Sequence, residues 1–87
     1  MDVSRLLHPV NRFTPPPPGA VNVCRGVAIE GPGGRWVPCA TQVSDGTYLS
    51  ALFEVGPGKR QVCLDMPVLS AEEALQRATH LASAAAA

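Results

Sequence analysis

Side chains able to act as nucleophiles, bases or metal ligands are few in this sequence and poorly spaced for one another. Cys24, Cys39 and Cys63 are widely separated, with none of the short pair spacings of a zinc knuckle or a redox dithiol, and His8 and His80 sit near opposite ends of the chain. Cys63 and His80 can be drawn as a thiol and its base. The elements that carry them keep them apart, with His80 on a helix and Cys63 on the sheet face turned away from it. Gly31-Pro32-Gly33-Gly34 and Gly56-Pro57-Gly58 look at first like phosphate-cradling loops. They lack the Lys-Ser or Lys-Thr pair and the following helix N-terminus that such loops need, and they feed strands instead. No nucleophile beside a base and no convergent carboxylate pair emerges. The chain is therefore read as non-enzymatic, with no cofactor and no metal.

Composition narrows the class further. The 87 residues carry 7 Lys+Arg against 7 Asp+Glu, so no excess charge points to a polyanionic or polycationic partner. Apolar residues make up 46%, too many for a disordered chain, and charged residues only 16%. An odd number of cysteines argues against a disulfide scaffold and for reduced thiols. No run approaches the roughly 18 apolar residues of a membrane span. The first ten residues, interrupted by Asp2, Arg5, His8 and Pro9, do not read as a secretory signal. A cytoplasmic protein without membrane contact is expected. Arginine dominates the basic residues and Ala, Gly, Pro and Val are abundant, which suggests a GC-rich bacterial genome.

The chain divides into three parts. Residues 1–20 end in Pro15-Pro16-Pro17-Pro18, a polyproline II run that separates a flexible proline-rich arm from the remainder of the chain. Val3, Leu6, Leu7, Val10 and Phe13 give that arm enough apolar character for one helical turn or for docking, and the proline run is itself a candidate partner ligand. Residues 21–83 form a ββββα domain, and 84–87 an alanine tail that extends the helix or frays. Strand one is read over Val21 to Ile29, with a type II turn at Pro32-Gly33. Strands two and three run from Trp36 to Val43 and from Thr47 to Val55, and strand four from Arg60 to Met66. Connections this short force antiparallel neighbours. Ser70 and Glu73 make a capping box, and Ala71, Ala74, Leu75, Ala78, Leu81 and Ala82 recur at helical spacing. The expected fold is α+β and two-layer: a four-stranded antiparallel meander with one C-terminal helix packed on one face.

Register decides which side chains meet, because a one-residue slip exchanges the faces of a strand. A type I turn at Ser44-Asp45 with Gly46 in the left-handed bulge position is preferred over a two-residue type I′ loop. It gathers Val37, Cys39, Val43, Leu49, Ala51, Phe53 and Val55 on one side. That side is assigned to the helix, together with Val62, Leu64, Val27 and Ile29. The opposite side then exposes Trp36, Tyr48 and Leu52, with Cys63, as an apolar patch. Because the first and third turns of a meander fall at the same end, Arg35, Lys59 and Arg60 form a basic edge beside it. These six residues, Trp36, Tyr48, Leu52, Arg35, Lys59 and Arg60, are the candidate partner-binding surface, for an unidentified protein or a second copy of the chain.

Strands followed by a helix, with that basic edge, resemble the second half of a double-stranded RNA-binding domain, which implies a weak nucleic-acid-binding alternative. Glu72 and Glu73 stand where that family places phosphate-binding lysines, so nucleic acid is disfavoured on charge. Tyr48 to Leu52, Asp65-Met66-Pro67 and Ser70-Ala71-Glu72-Glu73-Ala74-Leu75 resemble part of the pattern of HicB-type antitoxins, which implies a toxin-binding sheet and helix. The strand those proteins insert between the proline and the helix is absent. The whole chain is also similar to small sheet-and-helix proteins of proteobacteria, a likeness that implies no activity. The function expected is that of a small interaction module using the sheet face that the helix leaves uncovered.

Overall fold

The computed structural model describes residues 13–56 and 61–87. The expectations placed on the chain before residue 13, and on Lys59 and Arg60, lie outside the described residues. Among the described residues six strands and a helix follow one another: β1 (Phe13–Thr14), β2 (Val21–Arg25), β3 (Ile29–Gly31), β4 (Gly34–Ser44), β5 (Thr47–Val55), β6 (Gln61–Leu64) and α1 (Ala71–Ala86). All strand pairs are antiparallel, in the order β1-β6-β5-β4-β2, with β3 also pairing β4.

Two strands more than expected arise for identifiable reasons. The first predicted strand is broken at Gly26-Val27-Ala28, so β2 and β3 pair separate stretches of β4. Phe13 and Thr14, assigned to a separate arm, instead pair Leu64 and Cys63 at the far edge. The proline run breaks a ladder of its own but leaves the two residues before it free to extend.

The central hairpin has the bulged register. Val37 lies opposite Phe53, Cys39 opposite Ala51 and Thr41 opposite Leu49, with the shift between Gln42 and Ser44 and Gly46 at φ +71°. The β3–β4 turn departs from a type II turn: the left-handed residue is Gly34, at φ +115°, one position later than that turn requires.

Helix α1 begins where the capping serine places it. Ser70 is extended, at φ −139° and ψ 142°, and its Oγ accepts the Glu73 amide at 2.9 Å. Glu72 and Glu73 in the first turn complement the helix dipole. Glu73 meets Arg77 at 3.7 Å, an exposed pair worth a few tenths of a kcal/mol at most. The alanine tail continues the helix to Ala86, and Ala74, Ala78, Ala82, Ala85 and Ala86 form its buried stripe.

That stripe rests on the side of the sheet opposite to the one expected. Ala74 packs with Ala40, Val68 and Tyr48, and Ala82 and Ala85 pack with Leu52, Trp36, Ile29 and Val62. The Ser50 hydroxyl donates to the Ala74 carbonyl at 2.8 Å within this layer. Small residues explain the choice. Ala40 and Ser50 meet Ala74, so the helix backbone lies close to the strands, and the larger Leu52, Val62 and Trp36 fill the wider end. Val62 lies opposite Leu52 and Ile29 opposite Trp36, so they join this face and not the Val37–Phe53 face. Val27 falls in the break between strands and is exposed.

Candidate functional site

The candidate surface of Trp36, Tyr48 and Leu52 is part of the layer under α1. Leu52 is 2% exposed. Trp36 is half-buried beside Leu52 and Ala82, and its indole N–H donates to the Gly33 carbonyl at 3.2 Å. Tyr48 is half-buried, and its backbone exchanges hydrogen bonds of 2.9 and 2.8 Å with Val68. The register matches the expectation and the sidedness is reversed, so these three residues anchor the helix and are not presented to a partner. Arg35 is exposed on β4, with Glu30 directly opposite on one side and Val55 on the other.

The other face is curled. Asn22 on β2 and Gln61 on β6 are separated in the sheet by β4 and β5. In a flat sheet that is three strand spacings, about 14 Å. Yet Asn22 Nδ2 donates to Gln61 Oε1 at 3.1 Å and Gln61 Nε2 returns to Asn22 Oδ1 at 3.0 Å. The Thr41 hydroxyl joins them, donating to Asn22 Oδ1 at 2.7 Å. Side-chain contact across two intervening strands requires the sheet to close toward this face like a trough. Its floor is Cys39, Ala51 and Cys63, side by side across three strands and each fully buried, flanked by Leu49. Cys63, expected beside Trp36, lies here because it pairs with Ala51. Sequence reasoning missed the amide clasp; the signal was an Asn within a run of β-branched residues, where only a specific partner offsets its poor strand propensity.

The trough thiols are protected chemically as well as sterically. Burial raises the Cys39 pKa above its ordinary value, partly offset by the charge and hydrogen bond of Arg25, which lies directly opposite on β2. Burial raises that of Cys63 too, partly offset by hydrogen bonds from Gln61 and Thr41. A raised thiol pKa contributes stability that is complete below the ordinary cysteine value and is lost as pH rises through the folded value. The unfolding free energy is therefore expected to fall above about pH 9, and a Cys39→Ala/Cys63→Ala double variant to show a flatter alkaline limb. Thiol labelling at neutral pH provides the second readout. Half-buried Cys24 reacts first, and equal reactivity of all three thiols in the folded protein would contradict the closed trough.

His80 is exposed on α1 while Cys63 faces the trough, so the two are not brought together. Among the described residues, no three His, Cys, Asp or Glu side chains converge as a metal ion would need. No helix among them is long and apolar enough to cross a membrane.

The exposed apolar side chains concentrate elsewhere. Val21, Val23 and Val27 are 60%, 42% and 85% exposed; Val21 and Val23 lie on β2, whose outer side has no neighbour in the sheet among the described residues, and Val27 follows in the break before β3. Two features of β2 are relevant to pairing: it carries neither Lys nor Pro, and its regularity is interrupted only by a shift between Asn22 and Cys24. No family model, curated protein or solved structure matches this chain.

Proposed function

We propose that this chain is a non-enzymatic interaction module that takes up an extended strand along its β2 edge, and that the strand is β2 of a second copy. The observation that carries this reading is the pair of exposed valines, Val21 and Val23, on a sheet edge that has no partner strand among the described residues. Such an edge presents free N–H and C=O groups to an incoming strand, and proteins that must stay monomeric blunt it with Lys, Pro, bulges or cover, of which β2 carries one bulge, at Val23. Several features favour a second copy. The chain is neutral overall, so two copies do not repel. Antiparallel pairing centred on Val23 sets Val23 against Val23 of the other copy, and Val21 against its Arg25. No like charges then face one another, and an isologous contact of this kind closes on itself as a dimer.

Light scattering across a concentration series tests this. The expected result is a reversible monomer–dimer equilibrium, with Val23→Lys weakening it at least about tenfold, or 1.4 kcal/mol, and leaving the melting temperature of the monomer unchanged. A strictly monomeric chain over the whole series would overturn the reading, as would a dimer indifferent to Val23→Lys.

A further inference from the structure

The chain reaches β2 by an unusual route. Thr14 pairs Cys63 at one edge of the sheet, and Val21 pairs Gln42 next to the other. Seven peptide steps, with a reach of about 25 Å at full extension, must cross from one to the other. Pro15-Pro16-Pro17-Pro18 makes that crossing as a strap. The Ala20 amide donates to the Pro17 carbonyl at 3.1 Å and Gly19 sits at φ +82°, a type II turn with Pro18 in its first central position. That position has φ and ψ close to polyproline II, so the left-handed helix continues through all four prolines before Gly19 reverses the chain.

A polyproline II helix has three residues per turn. Pro15 and Pro18 therefore share one ridge, Pro16 lies on a second and Pro17 on a third. Exposure follows the same period: Pro17 is half-buried, while Pro15, Pro16 and Pro18 are exposed. One ridge rests on the protein and two face solvent. Both ends are pinned by strand pairing, so the conformation a partner would need is already ordered, and binding loses less chain entropy than it would with a free peptide. From Thr14 to Cys24 the chain carries no charge, and the nearest basic residue before the strap is Arg12, three positions ahead of Pro15.

We infer that the strap is a preformed recognition element for a partner protein with an aromatic-walled polyproline groove. Slots between aromatic rings receive the Pro15/Pro18 ridge and Pro16. This inference rests on the strap alone and stands whether or not β2 dimerises.

The test is titration of the isotopically labelled full chain with three purified probes: a WW domain, an EVH1 domain and an SH3 domain that selects basic-flanked proline motifs. The expected result is that at least one of these domains shifts the amides of Thr14, Gly19, Ala20 and Val21. Pro16→Ala is expected to weaken binding about tenfold or more, with the rest of the amide spectrum and the melting temperature unchanged. Absence of those shifts with every probe at millimolar concentration would overturn the inference. So would unchanged affinity in Pro16→Ala.

Discussion

Replacing Leu52 with Ala is expected to lower the unfolding free energy by about 3 kcal/mol, within the range for truncating a buried leucine. Leu52 is one of the largest fully buried side chains and packs between β5 and α1 against Ala82 and Ala85. Its partners on the buried stripe of the helix are alanines, which cannot swing into the space left behind, so the cavity term adds to the lost transfer free energy. Chemical denaturation is the appropriate measurement, with the midpoint moving and the slope unchanged. Leu69→Ala is the internal comparison. Leu69 is 82% exposed, and its removal is expected to change stability by less than about 0.5 kcal/mol. Equal effects at the two positions would place Leu52 on the surface and reverse the assignment of the face that the helix covers.

The second large effect lies at the C-terminal end of α1. A helix ends with unsatisfied carbonyls, and here no basic residue lies in the last turn. The β3–β4 turn supplies the donor instead, with the Gly33 amide donating to the Ala86 carbonyl at 2.9 Å. The approach is so close that a Cβ on Gly33 would collide with the Ala85 carbonyl oxygen, and one on Gly31 with that of Ala86. Neither glycine has a positive φ, so alanine is acceptable to the backbone and the cost is steric. The obstructing atoms are main-chain oxygens, which cannot rotate away.

Gly33→Ala is therefore expected to force the helix end off the turn. Overpacking of this kind costs about 1–3 kcal/mol, and the lost hydrogen bond adds about 1 kcal/mol. Hydrogen exchange at the last helical turn should accelerate in step with the fall in melting temperature. A Gly33→Ala protein as stable as the parent would contradict the docked helix end. Gly46→Ala separates steric from conformational cost: Gly46 is left-handed at φ +71° with nothing near its missing Cβ, and its replacement strains only the hairpin turn.

Much of this was legible from local rules. Ser70 and Glu73 announced the helix start, the alanine and leucine spacing announced its buried stripe, and Ser44-Asp45-Gly46 fixed the register of the long hairpin. Sidedness was not legible, because both faces of β4 and β5 carry apolar residues. Val37, Cys39, Leu49 and Ala51 alternate with Trp36, Ala40, Ser50 and Leu52, and hydrophobic pattern alone cannot rank two such faces. The deciding property was size. A helix of alanines needs a face with small residues at one end and a filler at the other, which Ala40, Ser50 and Leu52 provide. The trough was hidden for a different reason: the Asn22–Gln61 clasp joins residues far apart in sequence, and no short-range spacing encodes it. The GPGG turn drew attention as a possible anion loop, and its glycines instead make room for the end of a helix.

The trough and the buried Trp36–Leu52 layer both depend on one arrangement: α1 on the Trp36–Leu52 face, leaving the Cys39–Cys63 face to curl toward the Asn22–Gln61 clasp. Through-space proton contacts between side-chain methyl groups test that arrangement most directly. Contacts are expected from the Leu52 methyls to the Ala82 and Ala85 methyls, and none from Leu49 or Val37 to any helix alanine. Contacts from Leu49 or Val37 to Ala74, Ala78 or Ala82, with Leu52 silent, would contradict it.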